Sequence, residues 1–513
     1  MPAKKQLAAT TGAALAATLM LAACSGGDED AGGSLETISI MAPLLSSTAP
    51  DPEGEVQSAI EEYSGQDLDI TWVPNSNYTD RLNVVMASDD IPHVMVVQGK
   101  TGAFTQAAEA GAYWNLTEYL DDYENLTPEN EDVRLASSVN GQSYGIYRMR
   151  DAMRAAVIIR KDWLENLGLE EPQSVEDLYN LAQAFTENDP DGNGKDDTTG
   201  LIIPQWSGYG NHSPYDLIET WFGTPNRWGV DESGELYPAF EDPAFIEALN
   251  FVKDMVDNGY INSDFATMDS ATWNDPFFNG EGGIIIDVSS RALQLTGLFK
   301  EQYPDTYGDY VTMVGNLEGP DGQLNAYPTS GYSGFISIPK ASVQTEEQLH
   351  QVLSFLNDMS AKKGQVLLNN GIEGVNFEVQ DGQAVAINAD DPEVEVISND
   401  TTAFAQIGTQ SNGYLAYPAK PEGEPEQALD DRRTEMHASD LESAVYDPAA
   451  ALVSETYTER GAVLDQIITD ARIQYLAGQI DEEGLRAEIQ RWRDQGGEQI
   501  VQEMNELYAE LDN

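Results

Sequence analysis

The sequence predicts a mixed α/β protein of two or three domains or two large lobes, built round largely buried sheets. Three observations predict it. The chain has 513 residues, enough for two or three domains or two large lobes. Apolar residues make up 41% of it, which allows a substantial core. Beyond residue 35, strand-like and helix-like stretches alternate, with no internal repeat and no long Pro-rich linker across 36–513.

Lys4 and Lys5 precede an uncharged, Ala- and Leu-rich run from residue 7 to residue 23. That is the pattern of a signal peptide, its side chains being too small for a good membrane span. The run ends Leu21-Ala22-Ala23-Cys24, which resembles the bacterial lipobox, where cleavage precedes a lipid-modified cysteine. Cys24 is the chain's single cysteine and stands where that motif needs one. Two acyl chains, palmitate among them, would hold the mature protein at the outer face of the cell membrane, since one chain anchors only marginally. Residues 24–35, with SGGDEDAGGS at 25–34, read as a hydrated tether.

Apolar alternation in 37–41 (TISIM) and 68–73 (LDITWV) makes two short strands, and 94–97 a third. Val56, Ile60 and Tyr63 recur at helical spacing between the first two, so the fold opens strand–helix–strand. Residues 162–167 form a helix closed by Gly168. Ser174 caps the next, with Asp177 three residues on and Leu178, Leu181 and Phe185 on one face. Residues 284–286 and 335–338 read as buried strands. At the C-terminus, Ile500, Met504, Leu507, Tyr508 and Leu511 make an apolar stripe that docks on the body.

The chain carries 26 Lys+Arg against 88 Asp+Glu, a net charge of −62. Such a field repels phosphate backbones and excludes nucleic acid as a partner. One cysteine allows no intrachain disulfide and no thiolate-rich zinc or iron–sulfur site. His93, His212, His350 and His437 lie far apart, with no HExxH. Gly99-Lys100-Thr101 follows an apolar strand, but Val94 stands where a phosphate loop needs its first glycine. Gly141-Gln142-Ser143-Tyr144-Gly145 spells a nucleophile elbow, yet Asn140-Gly141 is a hairpin turn signal and strand follows it. No catalytic residue is assigned, and the chain is expected not to be an enzyme.

Asp189-Pro190-Asp191-Gly192-Asn193-Gly194-Lys195-Asp196-Asp197 matches the first half of a calcium loop. Oxygen ligands at alternate positions suit a hard cation, and Gly194 allows the tight turn at the sixth position. Asp189, Asp191 and Asn193 would offer side-chain oxygens, Lys195 its carbonyl and Asp197 a further carboxylate, to hold a structural Ca2+. The twelfth position is Gly200, so the EF-hand is incomplete. A plain Asp- and Gly-rich surface turn is the alternative.

The lipobox, the tether and residues 160–201 (RKDWLENLGLEEPQSVEDLYNLAQAFTENDPDGNGKDDTTGL) together resemble the extracellular solute-binding lipoproteins of ABC importers. The resemblance is to the oligosaccharide-binding branch that includes alginate-binding and rhamnogalacturonan-uptake proteins. NYTDRLNVVMASDDIPHVMVV (77–97), GAYWNLTEYL (111–120), FFNGEGGIIID (277–287) and GYLAYP (413–418) extend it over nearly the whole mature chain. Family members commonly have Asp where this chain has His93, and an acidic residue where it has Thr198, which removes a possible metal ligand.

The resemblance implies a two-lobed, type II periplasmic-binding-protein-like fold with the ligand cleft between lobes and hinge crossovers. It implies 36–150 and 290–360 as lobe one, 151–289 and 361–513 as lobe two, and crossings near Arg150, Val288 and residue 360. It also implies a monomer that captures an oligosaccharide and delivers it to permease subunits of an ABC transporter. A lipid-anchored polysaccharide-degrading enzyme and a peptide-binding lipoprotein remain open.

Sugar faces stack on aromatic rings, and hydroxyls need planar polar partners. Trp206, Trp221, Trp228 and Trp273 cluster in the second lobe, with Tyr209 and His212 in a polar, Gly-rich loop between the first two. The four tryptophans and Tyr209, with Tyr78 and Tyr332, are the aromatic candidates for the ligand site, whereas Trp163, on an amphipathic helix, reads as packing. Arg148, Arg150, Arg154 and Arg160 crowd the expected lobe crossing. Arg148 and Arg150 are ligand candidates, because guanidinium forks bind carboxylates and hydroxyl pairs. In so acidic a chain, salt bridging to surplus acids explains the cluster slightly better, and the charge of the sugar stays open.

Overall fold

The computed structural model describes residues 33–511 apart from 47, 127–129, 207–208, 211, 410–415 and 422. The expected signal peptide, Cys24 and the tether up to residue 32 lie outside the described residues. Two sheets organise the rest. The first orders its strands Asp67–Pro74, Thr37–Leu44, Val94–Val97, Tyr332–Ser337 and Ile146–Met149. The first three run parallel, as a strand–helix–strand opening requires, with Ile40 facing both Ile70 and Val94. The last two are antiparallel additions, Phe335 facing Val97 on one side and Tyr147 on the other. Gly334 allows that close fit: its φ is +104°, and a Cβ there would lie 2.1 Å from the Val97 carbonyl oxygen.

The second sheet orders Val311–Val314, Ala155–Arg160, Gly282–Val288 and Thr199–Leu201. Its centre is antiparallel, with Ile158 opposite Ile285. Val94–Val97 and Ala155–Arg160 are buried at every residue. Unbroken apolar runs of this kind belong to strands covered on both faces.

Local signals set the helix ends. Helix Glu55–Ser64 stops at Gly65 and helix Lys161–Leu167 at Gly168, both left-handed. Ser174 and Asp177 close a reciprocal capping box on helix Val175–Glu187, whose Leu178, Leu181 and Phe185 are buried. Asn140 and Gly141 both have positive φ and turn the chain back, which leaves Ser143 on a hairpin rather than an elbow. In helix Glu498–Leu511, Ile500 and Met504 are buried and Leu507, Tyr508 and Leu511 pack beside them on the second lobe.

The chain crosses between lobes at places other than those expected at 288 and 360. Helix Ser290–Gln302 buries Leu295 and Phe299 against the second sheet, and Val311–Val314 pairs with Ala155–Arg160. Helices Glu346–Ser360, Lys362–Asn369 and Pro392–Phe404 bury Leu353, Leu368 and Phe404 in the first lobe instead. An apolar strand such as VTMV shows that it needs partners but not which sheet supplies them, because pairing over this distance is a tertiary choice. The first lobe therefore takes 36–149 and 332–409, and the second 155–329 and 424–511. The crossings run side by side. Met149 N–H donates to the Thr409 carbonyl at 2.9 Å, Arg150 N–H to Gly331 at 2.9 Å, and Thr329 N–H to Ala152 at 2.7 Å. Among the described residues no helix is long and apolar enough to cross a membrane.

Candidate functional site

A cavity of about 920 Å³ lies between the lobes. Lys100, Asp132 and Leu135 reach it from the first lobe, and Arg154, Trp206, Trp228 and Asp287 from the second. The crossing segment lays Tyr327 and Tyr332 along it, and Tyr446, Asp447 and Tyr457 complete the wall. Aromatic rings with planar polar groups between them are what an apolar-faced, hydroxyl-edged ligand needs. A second cavity, of about 520 Å³, is lined by Glu109, Glu455, Glu503, Glu506 and Glu510 and has no ring on its wall, so nothing there could stack.

Of the nine candidate ligand residues, the structure brings Trp206, Trp228, Tyr332 and Arg150 to the cavity. Trp206 and Trp228 are half-buried, so part of each side chain stays accessible in the cavity. Tyr332 rests on Phe335 with ring centres 5.1 Å apart, and burial pushes its hydroxyl up to about 12.

The other five are structural. Trp221 ends a helix, Pro214–Trp221, in which every residue is buried, and its indole N–H donates to Asn316 Oδ1 at 2.9 Å. Trp273 is equally enclosed: its N–H donates to the Ile202 carbonyl at 3.0 Å and the Arg291 guanidinium covers its ring at 4.3 Å. Tyr209 packs edge-on against Phe240 at 5.5 Å. Tyr78 lies deep in the first lobe, its hydroxyl donating to the Met41 carbonyl at 2.9 Å. Arg148 donates to the carbonyls of Gly408 and Ala405 and to Gln406 Oε1, pinning a lobe crossing. Burial and neighbouring Arg150 lower its pKa to about 10. In each case a neighbouring carbonyl, amide or ring already occupies the group that was to meet a ligand. Arg160, the cluster's far end, is buried with its fork on Asp162.

The sequence reading missed the cavity's polar centre. Arg227 donates to the Tyr457 hydroxyl at 3.0 Å, which donates to Asp465 Oδ2 at 2.6 Å. Burial works against the guanidinium's charge, but Tyr457, Asp447 and Asp465 outweigh it and raise its pKa above the usual value. Burial likewise lifts Asp447 to about 6. Lys100, dismissed with the failed phosphate loop, sends its ammonium to three carbonyls: Ala136 at 2.8 Å, Ser138 at 2.7 Å and Ala450, across the lobes, at 2.5 Å. Burial lowers its pKa to about 7, with Asp447 opposing. Only the adjacency of Arg227 to Trp228 could have flagged this group.

Residues 49–366 match the model of the family described as bacterial extracellular solute-binding protein. This chain belongs to that family. It is 44% identical to Lipoprotein LipO of Bacillus subtilis (strain 168) over 96% of both chains. It is 31% identical to the polygalacturonan/rhamnogalacturonan-binding protein YtcQ of the same organism, over 90% of this chain and 89% of that one. Among solved structures it resembles an HMO-binding, ABC-transporter-associated solute-binding protein of Bifidobacterium longum infantis. The TM-score is 0.68 at 16% identity, over 92% of this chain and 98% of that one. The two-lobed architecture is thus that of extracellular solute-binding proteins.

Away from the cleft of this solute-binding protein, the aspartate loop curls on itself. Asp189 takes φ +48°, and its Oδ2 accepts Gly194 N–H at 3.0 Å. Asp189 Oδ1 is buried with no partner. The Asn193 amide donates to Asp191 at 2.6 Å and Asp197 at 3.0 Å, and Lys195 Nζ lies 3.5 Å from Asp197. So disposed, Asn193 turns its nitrogen inward, and among the described residues no three His, Cys, Asp or Glu side chains converge as a metal site. Turning that amide over would present its oxygen beside Asp189, Asp191 and Asp197, which is the donor set a hard cation takes.

Proposed function

We propose that this solute-binding protein captures an oligosaccharide between its lobes and delivers it to the permease of an ABC importer. The carrying observation is the inter-lobe cavity, where Trp206, Trp228 and Tyr332 stand beside Arg150, Arg154 and Asp287. Rings stack on the C–H faces of sugars and the charged groups bind their hydroxyl edges. The names of YtcQ and of the Bifidobacterium protein, both carbohydrate binders, support the same reading. The paired crossings at Met149, Arg150 and Thr329 suit a hinge that closes on ligand. Cys24 would carry the acyl anchor, holding the protein at the extracellular face of the membrane, and Cys24→Ser would release it into the medium. The loop of Asp189, Asp191, Asn193, Lys195 and Asp197 would hold a structural calcium ion.

A thermal-shift screen of residues 35–513 tests the reading, with trigalacturonate, a rhamnogalacturonan fragment, maltotriose and 1-kestose as probes. A ligand at 100 times its Kd adds about 2.7 kcal/mol of stability by mass action. A dose-dependent shift with the sugar recovered uncut supports capture. Shifts that fade as the sugar is cleaved would point to an enzyme, and shifts with peptides alone to a peptide carrier.

A further inference from the structure

His212 lines the cleft with both ring nitrogens buried and neither hydrogen-bonded. Among the described residues no other side chain has two such atoms. A buried polar atom left unmade keeps its full desolvation penalty, so the fold has left this imidazole for something it does not itself supply. Its backbone adds to the cost, with φ at +61°, a left-handed conformation that few residues other than glycine adopt. The ring is held edge-on against Tyr327, centres 5.3 Å apart, which fixes its direction.

Three charged groups face it: Asp216, Arg154 and Asp287. Neither carboxylate is left to serve the imidazole. Asp216 accepts from Arg472 at 3.0 Å and from the Ser213 N–H at 2.9 Å. Asp287 accepts from Arg291 at 2.5 Å. Arg154 also lines the cleft, and its guanidinium has no hydrogen-bond or ion-pair partner among the described residues. Burial lowers the His212 pKa to about 4. The imidazole is therefore neutral at ordinary pH, with one N–H to give and one lone pair to receive.

We infer that His212 and Arg154 set the specificity of the cleft by reading the oxygen atoms of a sugar ring. Two hydroxyls, one accepting and one donating, satisfy the imidazole, and acceptor oxygens of the same ligand satisfy the guanidinium. Those acceptors are either a ring carboxylate or further hydroxyls, which present the same chemistry to the fork. Trp206 and Trp228 give affinity for any sugar face, whereas this pair distinguishes one pattern of oxygens from another. The inference rests on the oligosaccharide reading above.

The test titrates every sugar that shifts the wild type in that screen into wild type, His212→Phe and Arg154→Gln by calorimetry. His212→Phe keeps the ring against Tyr327 and removes both nitrogens. Its ligand-free melting temperature should equal or exceed that of the wild type, which rules out misfolding as the cause of lost binding. Each variant should bind at least tenfold more weakly. A larger loss for Arg154→Gln with trigalacturonate than with maltotriose assigns the fork to a carboxylate, and equal losses assign it to hydroxyls. Lys100 and Asp447 titrate in the same cavity between pH 6 and pH 8, so any change in affinity over that range should be the same in wild type and His212→Phe. Binding by both variants within twofold of wild type would overturn the inference while leaving the sugar reading intact. Affinity that climbs as pH falls in the wild type but not in His212→Phe would overturn it too, since an imidazolium would then be the binding form. A wild type that binds no probe removes the sugar reading and this inference together.

Discussion

Trp221 and Trp228 lie seven positions apart, yet one is core and the other faces the cleft. What separates them is the surroundings: Trp221 closes a wholly buried helix, while Trp228 opens the short hairpin strand Trp228–Val230. Trp228→Ala should cost about 1–3 kcal/mol of sugar binding with little change in melting temperature. Trp221→Ala should cost about 3–5 kcal/mol of folding stability. Calorimetry and urea unfolding of the two variants give opposite patterns if the assignment holds. Residue identity made both tryptophans candidates, but whether an Asn316 would arrive to bond the indole could not be read from their neighbours in sequence. Buried charge is a second residue-scale matter. Arg472 is shared by Asp216 at 3.0 Å and Glu219 at 3.1 Å, all three buried. One guanidinium cannot serve two buried carboxylates fully, and burial above all raises Glu219 to about 8, with Asp216 adding to the rise and Arg472 opposing it. The folded state then holds a proton that the unfolded chain has given up. Glu219's contribution is thus complete below about pH 4.5 and is lost as pH climbs to about 8. Glu219→Gln should match the wild type near pH 5 and unfold at higher urea than the wild type at pH 9.

At the scale of elements, caps and alternation were legible because they are local. Ser174 with Asp177, Gly168, and the strand at 94–97 depend only on neighbours within a few residues. Ser174→Ala should cost about 1 kcal/mol in urea unfolding by removing one half of the capping box. The long C-terminal helices, Glu424–Leu441 and Glu455–Leu476, were not singled out, since polar residues are spread round both and no clean apolar stripe marks either. Glu455–Leu476 nonetheless buries Leu464, Ile467 and Ile468 in the second lobe. The aspartate loop was legible as a pattern but not as a filled site, because Asn193 can turn either its oxygen or its nitrogen inward. Asp191→Ala should lower the melting temperature when calcium is present and leave it unchanged in chelator. A wild type indifferent to calcium would make the loop a turn.

Across the whole molecule, a mixed α/β chain of more than one unit followed from length and alternation and its two lobes from the family resemblance, but their boundaries did not, since Val311–Val314 and Tyr332–Ser337 join different sheets on similar sequence evidence. The contacts that tie the lobes were equally hidden. Lys100 spans from the first lobe to Ala450 of the second, and Asn140 N–H donates to the Ala451 carbonyl at 3.0 Å beside it. Lys100→Met should cost about 2–3 kcal/mol in urea unfolding, because buried carbonyls lose their shared donor. The three crossings carry a further consequence, for fragments of the chain. The fourth strand of the first sheet is flanked by Val94–Val97 on one side and Ile146–Met149 on the other, but it is made only at Tyr332–Ser337. A fragment ending near residue 150 would hold two strands with their facing edges bare, the arrangement that recruits other chains into aggregates. A protease cut or premature stop anywhere up to residue 332 therefore spares neither lobe, and the two halves of this cleft can be inherited, expressed or lost only together.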